Sequence, residues 1–195
     1  MKYSMKWIIS QYEKGKKLKY IFFWGHKPTC DADDLGKFSL SQWYDSPFTV
    51  KKQVYPTAEH WMMAEKALLF KDYEMHQAIL TAKSPGEVKE LGRRVKGFDI
   101  KIWESNRFDI VKTGNKHKFS QNPDLLSYLL ATKDRVLVEA SPFDTIWGIG
   151  LRATYKHIEN PTTWLGLNLL GFALMEVRDF LLKRTERSKS AIVKL

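Results

Sequence analysis

Cysteine is nearly absent: Cys30 is the only one in 195 residues. A single thiol excludes an internal disulfide framework and fits a reducing compartment. No activating base lies near it in the sequence, so it is not a nucleophile candidate. Long hydrophobic runs are missing too. The longest, Trp164 to Met175, is interrupted by Asn168 and is too short to span a bilayer. The first nineteen residues are basic but lead into no apolar segment with a small-residue cleavage site, so a soluble, cytoplasmic protein is expected. There is no internal repeat and no linker-like stretch, which leaves a single folded domain. No His, Cys or carboxylate spacing matches a metal site, and no glycine-rich fingerprint matches a bound dinucleotide, so no metal and no cofactor are expected. Asp31, Asp33 and Asp34 lack the glycine and the distal glutamate of a calcium loop and read as a solvated loop.

What is present is a full core's worth of apolar residues, 44% of the chain, with aromatics at 13%. The net charge of +10 is unevenly spread. Residues 1–20 hold six lysines against Glu13, and residues 183–195 hold five cations against Glu186. The body, residues 21–182, is nearly neutral. Composition therefore divides the chain into a basic N-terminal extension (1–20), a folded body (21–182) and a basic C-terminal tail (183–195). Such ends suit either salt-dependent contacts with phosphate backbones or plain solvation; the body is not a basic nucleic-acid groove.

One stretch organises the rest, Tyr55 to Phe70. Pro56 and Thr57 are helix start signals, and the residues that follow are strong helix formers. At about 3.6 residues per turn, Glu59, Met62, Met63, Lys66 and Phe70 share a face. Trp61, Ala64 and Leu68 make the opposite side apolar, which predicts a buried helix. A carboxylate in the first turn of a buried helix needs a partner or a chemical task. Lys66, two turns on, is a candidate partner for it.

Around this helix, Tyr20–Gly25 reads as a short buried strand, and Phe38–Trp43 and Phe48–Val50 as strand-like pieces about a turn. A helix is predicted from Lys71 to Lys83. Another opens at Ser84-Pro85-Gly86-Glu87 and runs to about Val95. A long one runs from Asp99 to about Phe119, a short one over Leu125–Ala131, and a last one over about Leu167–Leu182, with a β-like run at Arg135–Ala140. The second unusual stretch, Ser141 to Gly150, sets Asp144, Trp147, Gly148 and Gly150 in a loop suited to close approach of backbone to a ligand. Asp144 is also a natural turn former there. The fold class is mainly α, an α+β chain with a few short strands.

Taken in order, these pieces resemble the NADAR family, the YbiA-like small N-glycosidases. The matching elements are Phe38-Ser39; Pro56-Thr57-x-Glu59-His60 with Ala64 and Lys66-Ala67; Gly92-Arg93; Trp103; Lys118-Phe119 with Gln121-Asn122-Pro123; Val138-Glu139; Asp144-x-x-Trp147-Gly148-x-Gly150; and Asn168-x-x-Gly171 with Met175-Glu176-x-Arg178. They cover about residues 22–182. The family usually has Ser-Asn-Phe where this chain has Ser41-Gln42-Trp43, so the edge of the pocket is expected to differ.

The resemblance implies a YbiA-like helical fold and hydrolysis of a ribose C1–N bond. The substrates it implies are ADP-ribosylated guanine in DNA or RNA, or a phosphoribosylated small molecule of riboflavin synthesis. A non-catalytic nucleotide-binding module is the alternative from another class. Cleavage passes through an oxocarbenium-like ribose, which needs charge stabilisation at C1, help for the departing base and a delivered water. Under the resemblance, Glu59 takes the first and last tasks. Asp144 holds ribose hydroxyls or shares the acid–base work. Lys66 tunes Glu59 or attacks C1 as an amine. Trp103 and Trp147 offer flat faces for a base, Gly148 a close backbone approach, and Arg93 and Lys118 phosphate contacts.

Overall fold

Ser4 caps the first helix, accepting the Trp7 N–H at 3.1 Å. The computed structural model describes residues 1–27 and 35–192, with side chains through residue 187. Helix α1 (Met5–Glu13) ends at Gly15, whose φ of +67° closes the turn. Strand β1 (Tyr20–Phe23) follows, then a 3₁₀ turn (Lys37–Leu40) and a hairpin of β2 (Phe48–Val50) and β3 (Gln53–Tyr55). Six more helices among the described residues are α2 (Ala58–Leu69), α3 (Tyr73–Thr81), α4 (Pro85–Arg93), α5 (Ile100–Gln121), α6 (Pro123–Ala131) and α7 (Leu169–Ile192). Between α6 and α7 lie β4 (Val136–Glu139), a long loop and a second 3₁₀ turn (Pro161–Thr163). The architecture is α+β with helices dominating, as the sequence leads one to expect.

The capping chemistry sets the boundaries. Thr57 accepts the His60 N–H at 3.3 Å, Ser84 the Glu87 N–H at 3.2 Å and Asp99 the Ile102 N–H at 2.9 Å, so each helix starts where its signal lies. Pro85 and Pro123 occupy first-turn positions, where the missing N–H costs nothing.

Strands β1 and β4 pair in parallel, Tyr20 opposite Val136 and Phe23 opposite Glu139. Helix α7 lies across β4 and against α5. It approaches so closely that a Cβ on Gly171 would collide with the Leu137 carbonyl and the Asn168 amide. Asn168 itself has φ of +50° and completes β4's ladder: its Nδ2 donates to the Leu137 carbonyl at 3.0 Å, and its Oδ1 accepts the Glu139 N–H at 3.0 Å. One side-chain amide thus stands in for a missing neighbouring strand.

Three expectations change. The N-terminal segment is not simply a solvated extension: Ile8 and Tyr3 are buried in the main core, Trp7 packs edge-on against Tyr3 and Phe172, and Lys2 pairs with Asp179 of α7. The apolar run Trp7-Ile8-Ile9, with Tyr3 four residues before Trp7, is the signal for it in the sequence. The final helix does not stop near Leu182 but carries the basic C-terminal segment on to Ile192. Phe38–Trp43 is a 3₁₀ turn and bend rather than a strand, its backbone tied to Lys118 as described below. Cys30 and the acidic triplet Asp31, Asp33 and Asp34 lie outside the described residues.

Candidate functional site

The N-terminus of α2, the end of β4 and the loop after it converge on a cavity of about 420 Å³. Its floor comes from α2: Glu59 in the first turn, then Met62 and Met63 one turn on. Glu139, the last residue of β4, enters beside them, and Asp144 and Trp147 enter from the loop. Helix α4 contributes Lys89, the one lysine or arginine among the described residues that line the cavity. Trp43 closes the edge, and Trp24 and Phe143 flank the mouth with ring centroids 6.0 Å apart; Trp24 is about half exposed and Phe143 largely so.

Glu59 is anchored through its main chain. Its N–H, one of the orphan donors of a helix start, is taken by the Gln42 carbonyl at 3.0 Å. Its side chain is almost fully removed from water, and burial raises its pKa to about 7. Asp144 pushes the same way, while Lys89 and the Trp43 indole oppose it. Glu139 is raised further, to about 8, by burial first and then by Asp144 and Glu59, with Lys89 opposing. Three carboxylates therefore share one cation, and the two more buried ones hold their protons into the neutral range.

The loop after β4 is shaped by Asp144, whose Oδ1 accepts the N–H groups of Ile146 at 2.8 Å and Trp147 at 2.7 Å. This bracket presents Trp147 to the cavity. Gly148 lies directly behind, where a Cβ would sit 2.8 Å from the Glu139 carbonyl and 2.9 Å from that of Asp144. Any larger residue there would push the loop away from β4.

Of the residues singled out from the sequence, Glu59, Asp144 and Trp147 line the cavity and Gly148 supports it. The other four lie elsewhere. Lys66 sits seven residues beyond Glu59, about 10 Å along the helix at roughly 1.5 Å per residue. Its Nζ donates to the Gly92 carbonyl at 2.7 Å and lies over the rings of Phe98 and Trp103, 4.3 and 5.6 Å from their centroids. It does not pair with Glu59, and Trp103 serves Lys66 and the core rather than the cavity. Arg93 is exposed and paired with Glu90, a turn beyond Lys89 on α4. Lys118 is fully buried and donates to the Ser39 and Ser41 carbonyls at 2.7 and 2.8 Å; burial lowers its pKa to about 7. Together with Asn115, which donates to the Gln42 Oε1 at 2.7 Å, Lys118 fastens the Ser41–Trp43 edge over α2. That edge is where the chain departs from Ser-Asn-Phe.

Sequence reasoning missed Glu139, Lys89 and the Trp24–Phe143 mouth as parts of the site. A signal for Glu139 existed: a lone carboxylate ending an otherwise apolar strand, three residues before the Pro-Phe-Asp loop. Among the described residues no group of three or more His, Cys, Asp or Glu could hold a metal ion, and no helix is long and apolar enough to cross a membrane.

The two raised carboxyls make stability depend on pH. A carboxyl whose folded pKa exceeds its unfolded value binds more protons in the folded state. Its contribution is full below about pH 4.5 and is lost as pH rises through about 7 for Glu59 and about 8 for Glu139. Thermal unfolding followed from pH 5 to 9 should show native protein losing stability relative to Glu139→Gln across that window. Parallel curves would mean that Glu139 ionises as freely in the folded state as in the unfolded chain.

Fold and cavity define a single-domain α+β protein built round a pocket floored by carboxylates and walled by aromatic rings. The chain belongs to the NADAR family, whose domain matches residues 22–182. The mimivirus protein N-glycosidase R617, from Acanthamoeba polyphaga mimivirus, is 43% identical over 168 residues, covering 83% of this chain and 95% of its own. N-glycosidase YbiA of Escherichia coli is 32% identical over 149 residues, covering 76% and 82%. The NMR structure of E. coli YbiA superposes with a TM-score of 0.67 at 28% identity, covering 86% of this chain and 87% of that one. The chloroplastic riboflavin biosynthesis protein PYRR of Zea mays is 38% identical over 135 residues, which span 66% of this chain and 20% of the maize protein.

Proposed function

We propose that the cavity hydrolyses a ribose C1–N bond, and that its substrate is ADP-ribose joined to guanine in DNA or RNA. The observation that carries the reading is Glu59, a buried carboxyl at the floor of an aromatic-walled cavity with its pKa near neutrality. A group so poised stabilises positive charge at C1 as carboxylate and takes a proton from the attacking water. The names of the relatives R617 and YbiA support the reaction class.

Asp144 has one oxygen committed to its loop and faces the cavity, which suits a grip on ribose hydroxyls. Trp147 supplies a stacking face inside. Lys89, rather than Arg93 or Lys118, takes the phosphate role, because it alone of the three lines the cavity. The exposed Trp24–Phe143 pair at the mouth suits bases next to the target, which favours a polymer. The second reading, turnover of a phosphoribosylated intermediate of riboflavin synthesis, draws on the maize relative.

The deciding assay places a guanine-ADP-ribosylated oligonucleotide beside a riboflavin-precursor substrate and measures base and sugar release. Turnover of the oligonucleotide supports the polymer reading, and turnover of the precursor alone transfers the function to the metabolite. Binding of ADP-ribose without turnover of either marks a non-catalytic reader.

The basic N-terminal segment sharpens the distinction. Deleting it would remove core residues, but Lys14, Lys16, Lys17 and Lys19 are exposed, and they immediately precede β1, which leads to Trp24. Changing these four to Gln should lower kcat/KM on the oligonucleotide several-fold at low salt, flatten its salt dependence and leave a small substrate unaffected. Equal rates on both substrates at all salt concentrations would remove these lysines from substrate recognition.

A further inference from the structure

Glu139 is the least explained charged group at the site. It ends β4, and its main chain is fixed on both sides. The N–H is taken by Asn168 Oδ1 at 3.0 Å, and the carbonyl accepts from the Ile149 N–H at 3.0 Å. Its side chain lines the same cavity as Glu59. Yet its Oε2 is buried and has no hydrogen-bond partner. An ionised carboxylate would leave that oxygen both charged and unsolvated, which is costly, so the site favours the neutral carboxylic acid on a side chain that lines the cavity.

The charges facing it come from every side. Glu59 lies on α2, Asp144 on the following loop and Lys89 on α4. Two carboxylates against one ammonium favour the neutral acid at Glu139. Burial raises both carboxyls into the neutral range, and of the two it is Glu139 whose buried oxygen lacks a partner, which suits it to the protonated role beside Glu59.

We propose that Glu139 is the general acid of the reaction, protonating the base as it departs. The assignment rests on the glycosidase reading above. As the C1–N bond breaks, its electron pair moves to the base nitrogen, which takes the proton of the Glu139 carboxyl. Water adds its oxygen to C1 and yields a proton to the Glu59 carboxylate. The products are the free base and ribose with a hydroxyl at C1. Glu139 is left ionised and Glu59 protonated, and exchange with solvent restores both.

The test uses two substrates that differ in need of a proton. Guanine must be protonated to leave well. A nicotinamide attached to ribose, as in NAD, already carries the positive charge and departs neutral. Glu139→Gln, of nearly the same shape, should lower kcat/KM on the guanine-ADP-ribosylated oligonucleotide by roughly 10²–10⁴-fold. On NAD the loss should stay within about tenfold. In the native protein, kcat/KM on the guanine substrate should fall on the alkaline side as Glu139 ionises, and the residual activity of Glu139→Gln should lack that limb.

Equal losses on both substrates, or no loss on either, would overturn the assignment. If the native protein ignores NAD, or if the Gln variant does not fold, the alkaline limb decides: its absence from the native profile, or its persistence in a folded variant, overturns the proposal. Native protein that cleaves none of the N-glycosides tested would remove the glycosidase reading itself, a failure separate from misassigning Glu139.

Discussion

Glu59→Gln should lose turnover by about three orders of magnitude while keeping its fold and its ligand. The expectation follows from what the substitution removes. Glutamine fills the same space, and the bond that fixes this residue in place, from its own N–H to the Gln42 carbonyl, is made by main chain. What disappears is the negative charge at the floor of the cavity and a base of pKa about 7. General base catalysis and charge stabilisation are each worth roughly 10²–10⁴ in rate. The same change should leave the melting temperature equal or higher above pH 7, because the native protein must there ionise a carboxyl buried from water. Single-turnover kinetics, titration of ADP-ribose and thermal unfolding at pH 8 together check the three parts. Retained turnover would reduce Glu59 to a structural residue, and lost ligand binding would make it a contact rather than a catalyst.

Asn168→Ala should be the most damaging single change to stability outside the apolar core. It removes both hydrogen bonds that complete β4, leaving the Leu137 carbonyl and the Glu139 N–H unpaired beneath α7. Each buried group so orphaned costs about 1–3 kcal/mol. Alanine also tolerates the left-handed backbone at this position poorly, at about 1–2 kcal/mol. The sum, about 3–8 kcal/mol, is a large share of the about 5–15 kcal/mol that holds a domain folded. Asn168→Gly separates the parts: it relieves the backbone but not the lost amide, and should recover about 1 kcal/mol. Denaturant unfolding measures both. An alanine variant within about 1 kcal/mol of native would show that water replaces the amide.

Much of this arrangement is legible in the chain, wherever the determinant is local. Caps at Thr57, Ser84 and Asp99 sit within a few residues of the groups they satisfy, so helix starts read directly. Glu59 was visible because a carboxylate in an apolar first turn is an anomaly by itself. The β2–β3 hairpin is only half legible: its turn residues are Lys51 and Lys52, with φ of +48° and +72°, and lack the Asn-Gly chemistry by which such turns announce themselves. Lys66, Arg93 and Lys118 were harder for another reason. Which cation meets a cavity depends on how far along a helix it lies and on what the neighbouring helix offers, and neither is local. A carbonyl at Gly92 captures Lys66, and the Ser39–Ser41 backbone captures Lys118. Lys89 is left to face the carboxylates.

The parallel pairing of β1 with β4 has a bearing on how the molecule comes into being. The ribosome releases β1 near the start, but its partner strand emerges only after five helices have been made, and the helix that covers that partner comes last of all. Glu59 is synthesised early and Glu139 late, and the cavity needs both. A nascent chain therefore carries the first half of the site on a helical subassembly that has nothing yet to act with. Activity arrives only when the far end of the chain closes over the near one, and that long-range closure, rather than helix formation, is the step expected to set the pace of folding.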